Sequence, residues 1–348
     1  MAISTITKED TILFSRQLAL AINSDIPLTQ GLELIGEKTD NETLKDVLVN
    51  VVDQLNMGEP FSDAIGKYEK VLSPFFIQMV IIGEQSGTLP DILEQIAASY
   101  EKQLETANKL KSALTYPIIL SVLMFGVIVL LVVQVMPMFN DVLASLGGEM
   151  PLITEVILSV SLFIRDYFIV IMGIVLILVV GFILYSKTKG GRFTLDRLKF
   201  KLPILKELTS SLLAARFARN LGILIQSGMN FQDAFELIKP TMNNEYAESM
   251  IDDGIKDLNN GESLDEVIEK MELFPWLLMK LFGVAAQTGQ MDKALKTAAV
   301  EMEKEVDNRL TRLTTVVEPV LIIILSLIVG VILISVVLPV VNIMNSIG

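Results

Sequence analysis

The chain has 348 residues, 51% of them hydrophobic and 20% charged, with a mean hydropathy of +0.55 and a formal net charge of −13. That balance is too apolar for an ordinary soluble protein and points to membrane segments. The absence of cysteine and histidine excludes disulfides, thiolate nucleophiles, zinc fingers and imidazole bases, and the acidic balance argues against direct binding to a nucleic-acid backbone.

In chain order, the start "MAISTITKED" has neither a basic cluster nor an apolar run, so no cleaved signal peptide is expected. Residues 1–116 read as helical throughout. Apolar residues recur at three- and four-residue spacing, as at Leu44, Val47, Val51 and Leu55, and breaks fall at "NSDIP", "NMGEP", "LSP" and "GEQSG". Four to six short helices are expected per half. Three uncharged runs follow: Ile118 to Met136, Tyr167 to Ser186 and Val320 to Leu338. Each has 19 or 20 residues, about 30 Å as a helix, the thickness of a bilayer core.

The basic residues set an expected orientation. Residues 1–116 hold 9 Lys or Arg and residues 187–318 hold 18, whereas 140–166 holds only Arg165 and nothing after Arg312 is basic. By the positive-inside rule the two large segments face the cytoplasm, and the loop 140–166 and the tail 342–348 face outward. The cluster from Lys187 to Lys206 suits anionic headgroups. The expected order is a cytoplasmic helical domain (1–116), a span (117–139), a short outer loop (140–166), a span (167–186), a second cytoplasmic domain (187–318), a span (319–341) and an outer tail.

The two large segments are repeats. "FSRQLALAINSDIPLTQGLELI" from Phe14 matches "FARNLGILIQSGMNFQDAFELI" from Phe217 at an offset of 203. "MGEPFSDAI" matches "NGESLDEVI", and after a one-residue slip Gln85 and Gly87 match Gln287 and Gly289, while Glu101 matches Glu303. Pro117 and Pro137 bracket the first span as Pro319 and Pro339 bracket the third. Each repeat is thus a helical domain followed by one span, and the middle span returns the chain so that both repeats point the same way. The fold class is an all-α integral membrane protein with two homologous cytoplasmic helical bundles in tandem and three transmembrane helices.

The densest polar stretch is "GEQSGTLPDIL", Gly83 to Leu93. It lacks the Gly-Lys-Ser/Thr ending of a phosphate loop, and Glu84 has no second catalytic partner in its spacing. A turn accounts for it. Gly87 and Gly289 suit the left-handed position that ends a helix, with Thr88 and Asp91 opening the next. Glu84, Gln85, Ser86 and Gly87, with Gln287, Thr288 and Gly289, are therefore read as a structural turn or a partner contact. Arg16 and Arg219 are candidates for structural ion pairs with Glu33 and Glu236 at one end of a helical hairpin. Glu318, at the threshold of the third span, has no second intramembrane charge to relay a proton to.

"GEQSGTLPDILEQIAASYEKQLETANKLKSALTYPIIL", "KLPILKELTSSLLAARFARNLGILIQSGMNFQDAFELI" and "QTGQMDKAL" together resemble the type II secretion F / PilC family over nearly the whole chain. The sequence departs from the family pattern at Ala286, where the family's second turn carries a glutamate, and in its short region before Phe14. The resemblance implies a non-enzymatic platform without cofactors, for type IV pili, type II secretion or competence pseudopili. Its implied partners are a hexameric assembly or retraction ATPase, pilin or pseudopilin subunits, other inner-membrane components, the bilayer and further copies of itself. A small oligomeric channel or transporter subunit is the alternative, and a membrane enzyme is disfavoured by the missing His, Cys and paired carboxylates.

Overall fold

A computed structural model describes residues 6–135, 137–138 and 152–347, and among these residues there are helices and no strands. The first half forms α1 (Lys8–Asn23), α2 (Leu28–Lys38), α3 (Glu42–Asn56), α4 (Phe61–Gly66) and α5 (Pro74–Ser86), then α6 (Leu89–Leu130). Beyond it come α7 (Leu152–Asp166), α8 (Phe168–Lys187) and α9 (Lys189–Lys199). The second half forms α10 (Pro203–Gln226), α11 (Phe231–Ile238), a 3-10 turn (Lys239–Met242), α12 (Glu245–Asn259), α13 (Leu264–Lys270), α14 (Trp276–Thr288) and α15 (Met291–Ile347).

Several helices start where a polar side chain can take up the free N–H groups of a first turn. Thr7 and Asp10 form a capping box on α1. The side-chain oxygens of Asn41, Ser73, Asn230 and Asn244 accept from backbone N–H groups of α3, α5, α11 and α12. The helices are then held by their apolar faces. Phe14 packs against Phe76 in the first half, and the repeat counterpart of Phe14, Phe217, is ringed by Phe235, Phe274 and Phe282. All six of these rings are buried, and a single hydrophobic core runs through both halves.

The chain divides into two compact units. One holds residues 1–109 and 193–308, so both repeat halves belong to one packed body. The other holds residues 110–192 and 309–348. In the first unit α9 docks on α12: Phe193 and Phe200 lie against Tyr246, and Asp196 accepts from the Glu245 N–H at 2.9 Å. In the second unit three helices are long and apolar enough to cross a membrane: parts of α6 and α15, and the whole of α8. The side chains of α8 are exposed along its length, Ile169 to 85%, as lipid-facing residues must be.

Three of the four bracketing prolines lie inside helices. Pro117 lies inside α6, and Pro319 and Pro339 lie inside α15. A proline inside a helix withdraws one backbone donor, which membrane helices tolerate when neighbouring groups adjust. Threonine hydroxyls beside the first two prolines bond back to the helix, Thr115 to the Lys111 carbonyl and Thr315 to the Thr311 carbonyl. A π turn, Leu131–Val135, lies just before Pro137 in the sequence. The expected outer loop also differs: residues 139–151 are outside the described residues, but 152–166 is the helix α7. Its sequence "LITEVILSVSLFIRD" spaces apolar residues by three and four, a signal that counting charges alone passes over. The expected tail is helical through Ile347.

Helices α5 and α14 have 13 residues each and end on glycines in the left-handed region, Gly87 at φ +69° and Gly289 at φ +68°. The space around both glycines is open, so a methyl group there meets strain only in the backbone. Gly87→Ala and Gly289→Ala should each lower stability by about 1 kcal/mol. Thermal melts of the detergent-solubilised protein, followed by far-UV circular dichroism, should show both losses. Unchanged melting would mean that neither turn depends on its glycine.

Candidate functional site

The glycine turns are built differently. In the first, the Thr88 N–H bonds to the Gly83 carbonyl at 2.9 Å and the Gly87 N–H to the Glu84 carbonyl at 3.2 Å, the paired bonds of a Schellman motif. In the second, the Gly289 N–H bonds to the Ala285 carbonyl at 2.9 Å, the single bond of the simpler left-handed cap. The tighter first turn brings α6 close to α5: a Cβ on Gly83 would lie 3.0 Å from the Leu89 Cα, whereas the matching residue in the second half is Ala285. Ser86 and Thr288 take the same place, each hydroxyl donating to a carbonyl four residues back, Ile82 at 2.7 Å and Val284 at 2.9 Å. The Thr88 hydroxyl meets the Ser86 hydroxyl at 2.6 Å, and no cap from Thr88 to α6 forms among the described residues. Gln85 and Gln287 are exposed.

Glu84 points away from this turn. Its two carboxylate oxygens accept from the Phe61 and Ser62 N–H groups, both at 2.8 Å. These are free donors at the start of α4, whose N-cap is Pro60, a residue with no side-chain acceptor. The carboxylate also sits where a helix dipole favours negative charge. In the second half, Ser263 stands in place of Pro60. It forms a capping box with Glu266, whose carboxylate accepts from the Ser263 N–H at 3.3 Å. That half supplies its cap locally, and the position matching Glu84 is Ala286. The missing second glutamate therefore coincides with a self-capped α13.

The arginines bond to partners other than those expected. Arg16 reaches Glu101 on α6 at 2.5 Å, and Arg219 reaches Glu303 on α15, its Nε donating at 2.9 Å. Glu33 is exposed, and Glu236 accepts from Lys239 at 3.3 Å. The physical reason is helix geometry. The two helices of each hairpin do pack together, but the arginine side chains reach past the hairpin to glutamates on α6 and α15. Glu101 and Glu303 are themselves repeat partners, so the same bridge is built twice. The Arg219–Glu303 pair is the more sheltered of the two.

A polar seam joins the halves along α6. The buried Ser99 hydroxyl donates to the Asn220 side-chain oxygen at 2.8 Å, and the Asn220 amide donates to Thr241 at 2.9 Å. Farther along, Lys102 lies 3.8 Å from Glu303 and Lys109 lies 2.8 Å from Asp307. The Lys102 and Lys109 ammoniums hold the Glu105 carboxyl at about 2, well below its usual range. The Arg216 guanidinium donates to the Met242 carbonyl at 2.8 Å, and burial lowers its pKa. The cavity beside these groups is about 30 Å³, room for water and not for a substrate. Among the described residues no group of acidic side chains is placed to hold a metal ion. In the other unit, the Tyr116 hydroxyl donates to Glu318 at 3.2 Å, so this threshold carboxylate meets its own repeat counterpart.

Two helical repeats, each leading into an apolar span, with a third span between them, define a polytopic all-α membrane protein made by internal duplication. The chain belongs to the type II secretion system protein F family, whose profile matches it twice, over residues 14–137 and 217–339. It is 32% identical to the type IV pilus assembly protein PilC of Thermus thermophilus over 341 residues, 98% of this chain and 84% of that protein. It is 31% identical to the protein of the same name from Myxococcus xanthus, over 97% of this chain and 81% of that one. It is 26% identical to the type II secretion system protein F of Vibrio cholerae, over 98% and 84%. Members of this family are non-enzymatic membrane platform proteins, and this chain is a multi-pass inner-membrane protein.

Glu84→Ala should destabilise the first half by about 1–2 kcal/mol, because two part-buried donors lose their acceptor. Adding Pro60→Ser should recover part of that loss by giving α4 the kind of cap α13 has. Melting curves of the single and double variants test this. Equal losses with and without the serine would mean that Glu84 does not act as the cap of α4.

Proposed function

We propose that this chain is the membrane platform of a type IV pilus or type II secretion machine, and that it couples a cytoplasmic assembly ATPase to the insertion or extraction of pilin subunits. The observation that carries the reading is the pair of helices α6 and α15. They have 42 and 57 residues, and each continues without a break from the repeat bundle into a span. A continuous helix joins the cytoplasmic bundle to the bilayer by its own backbone, which suits a link between a moving cytoplasmic partner and subunits in the membrane. The match of both repeats to the protein F family supports the same reading. A channel or transporter subunit is less well served, because the three spans carry no charged residue to line an ion path.

The orientation we infer puts both repeat halves in the cytoplasm and residues 342–348 outside, from the distribution of Lys and Arg. A cysteine introduced at Ser346 of this cysteine-free chain should react with an impermeant maleimide added to intact cells or spheroplasts. Reaction only after the cytoplasmic face is opened would reverse the topology.

Deleting the gene should abolish surface filaments or pseudopilus-dependent export while pilin is still made. Normal filaments and export in the deletion strain would overturn the platform reading. The full-length protein in detergent should also retain the assembly ATPase in a pull-down. Loss of filaments without any such retention would leave the platform standing and remove the coupling.

A further inference from the structure

One stretch of the chain runs against its overall charge. Residues 187–206 hold seven Lys or Arg and a single acid, Asp196, in a chain whose net charge is −13. The acid is turned inward. Asp196 is buried, and its carboxylate accepts from the Glu245 N–H at 2.9 Å and from the Lys199 ammonium at 2.6 Å. Phe193 and Phe200 lie against Tyr246 beside it. Residues 193, 196 and 200 follow the three- and four-residue spacing of one helix face, and that face is spent on α12.

The other side carries two kinds of exposed group. Lys187, Lys189, Arg192, Arg197, Lys201 and Lys206 are exposed and, among the described residues, make no ion pair. Lysines elsewhere on the chain, such as Lys67, Lys109 and Lys239, each meet a carboxylate. Interleaved with the last three of the unpaired cations are Leu198, Leu202 and Leu205, which are 47%, 46% and 38% exposed. Cations without partners attract negative charge, and exposed leucines gain by leaving water. An anionic lipid surface offers both, with phosphates outermost and acyl carbon just beneath.

The chain also delivers this stretch to the bilayer. The middle span, α8, ends at Lys187, and only Thr188 separates it from α9. That corner is fixed. The Thr188 hydroxyl donates to the Tyr185 carbonyl at 2.7 Å and accepts from the Gly191 N–H at 3.0 Å, so one side chain closes the span and opens α9. A Cβ on Gly191 would lie 1.9 Å from the Tyr185 oxygen, so the corner admits no side chain there. One connecting residue covers about 4 Å, less than the 5–8 Å or so of polar headgroup layer on each side of the hydrocarbon. α9 therefore begins within that layer.

We infer that the outward face of α9 and the start of α10 form a binding surface for anionic phospholipid. Arg197, Lys201 and Lys206 take headgroup phosphates, and Leu198, Leu202 and Leu205 reach the boundary of the acyl chains. This surface is additional to the platform role and does not depend on it.

The absence of native cysteines permits a single reporter. The full-length protein with Leu198→Cys, labelled with an environment-sensitive fluorophore, is placed in two kinds of nanodisc. One is phosphatidylcholine, the other phosphatidylcholine and phosphatidylglycerol in equal parts, and both carry a trace of lipid with a nitroxide headgroup. The emission should be shifted to the blue and quenched with phosphatidylglycerol, and much less so without it. Raising the salt from about 0.1 M to about 1 M shortens the Debye length from about 10 Å to about 3 Å and should remove that difference. Arg197→Gln with Lys201→Gln and Lys206→Gln should also remove it and leave the melting curve unchanged, because these side chains pair with nothing in the fold. Lys199→Gln, which removes a cation already paired with Asp196, should leave the difference in place. Equal quenching in both lipids would overturn the inference. So would no quenching in either, the result expected of a face reserved for a protein partner. A loss of contrast from Lys199→Gln as large as that from the triple variant would deny the unpaired cations their role.

Discussion

A backbone that enters hydrocarbon must carry all its own hydrogen bonds, and the architecture of this protein depends on that requirement. A helix satisfies it, and the cheapest way to start such a helix is to have it already formed before the bilayer is reached. α6 and α15 do this: each begins at a glycine turn in the repeat bundle, gains an ion pair with the first long helix of its half there, and continues into an uncharged span. The middle span is a separate helix that carries no charge from Phe168 to Ser186.

The bundle itself is organised by where these two helices start. Arg16 and Arg219 fasten the first long helix of each half to α6 and α15, and the phenylalanines behind them fill the space between. Exposed pairs such as Arg16–Glu101 contribute little on their own. Their role is to set which face of one helix meets which face of the next. The buried Ser99–Asn220–Thr241 chain does the same between halves, at greater stake, because each member would be left unpaired in a different register.

Much of this was legible in the sequence. Period and length located the spans, and self-similarity located the two halves, because both depend on local composition that a reader can count. The glycine turns were legible for the same reason: the left-handed position names its residue. The ion pairs were not, because the choice between Glu33 and Glu101 for Arg16 is made by tertiary packing, although the matching positions of Glu101 and Glu303 were already visible as a repeat signal. Glu84 was legible as unusual but not as a cap, since its target lies 23 residues away at a helix start without an acceptor of its own. The clue was present as a pair of differences between the repeats, Pro60 against Ser263 and Glu84 against Ala286, which become informative only when read together. α7 was passed over because its segment was judged by charge and not by periodicity.

That pair of differences carries a consequence for how duplicated chains diverge. After duplication, both halves needed one acceptor at the same helix start, and each now obtains it from a different place in the chain. Positions 60 and 84 have become a single hereditary unit, as have 263, 266 and 286 in a looser sense. A recombination breakpoint between α4 and α5 that joined the α4 start of the first half to the α14 turn of the second would unite Pro60 with Ala286 and leave the helix start without an acceptor. The reciprocal joint would carry two. The two halves can thus share a fold and still no longer be interchangeable piece by piece, and the segment from α4 to the end of α5 is the smallest part that can be exchanged whole.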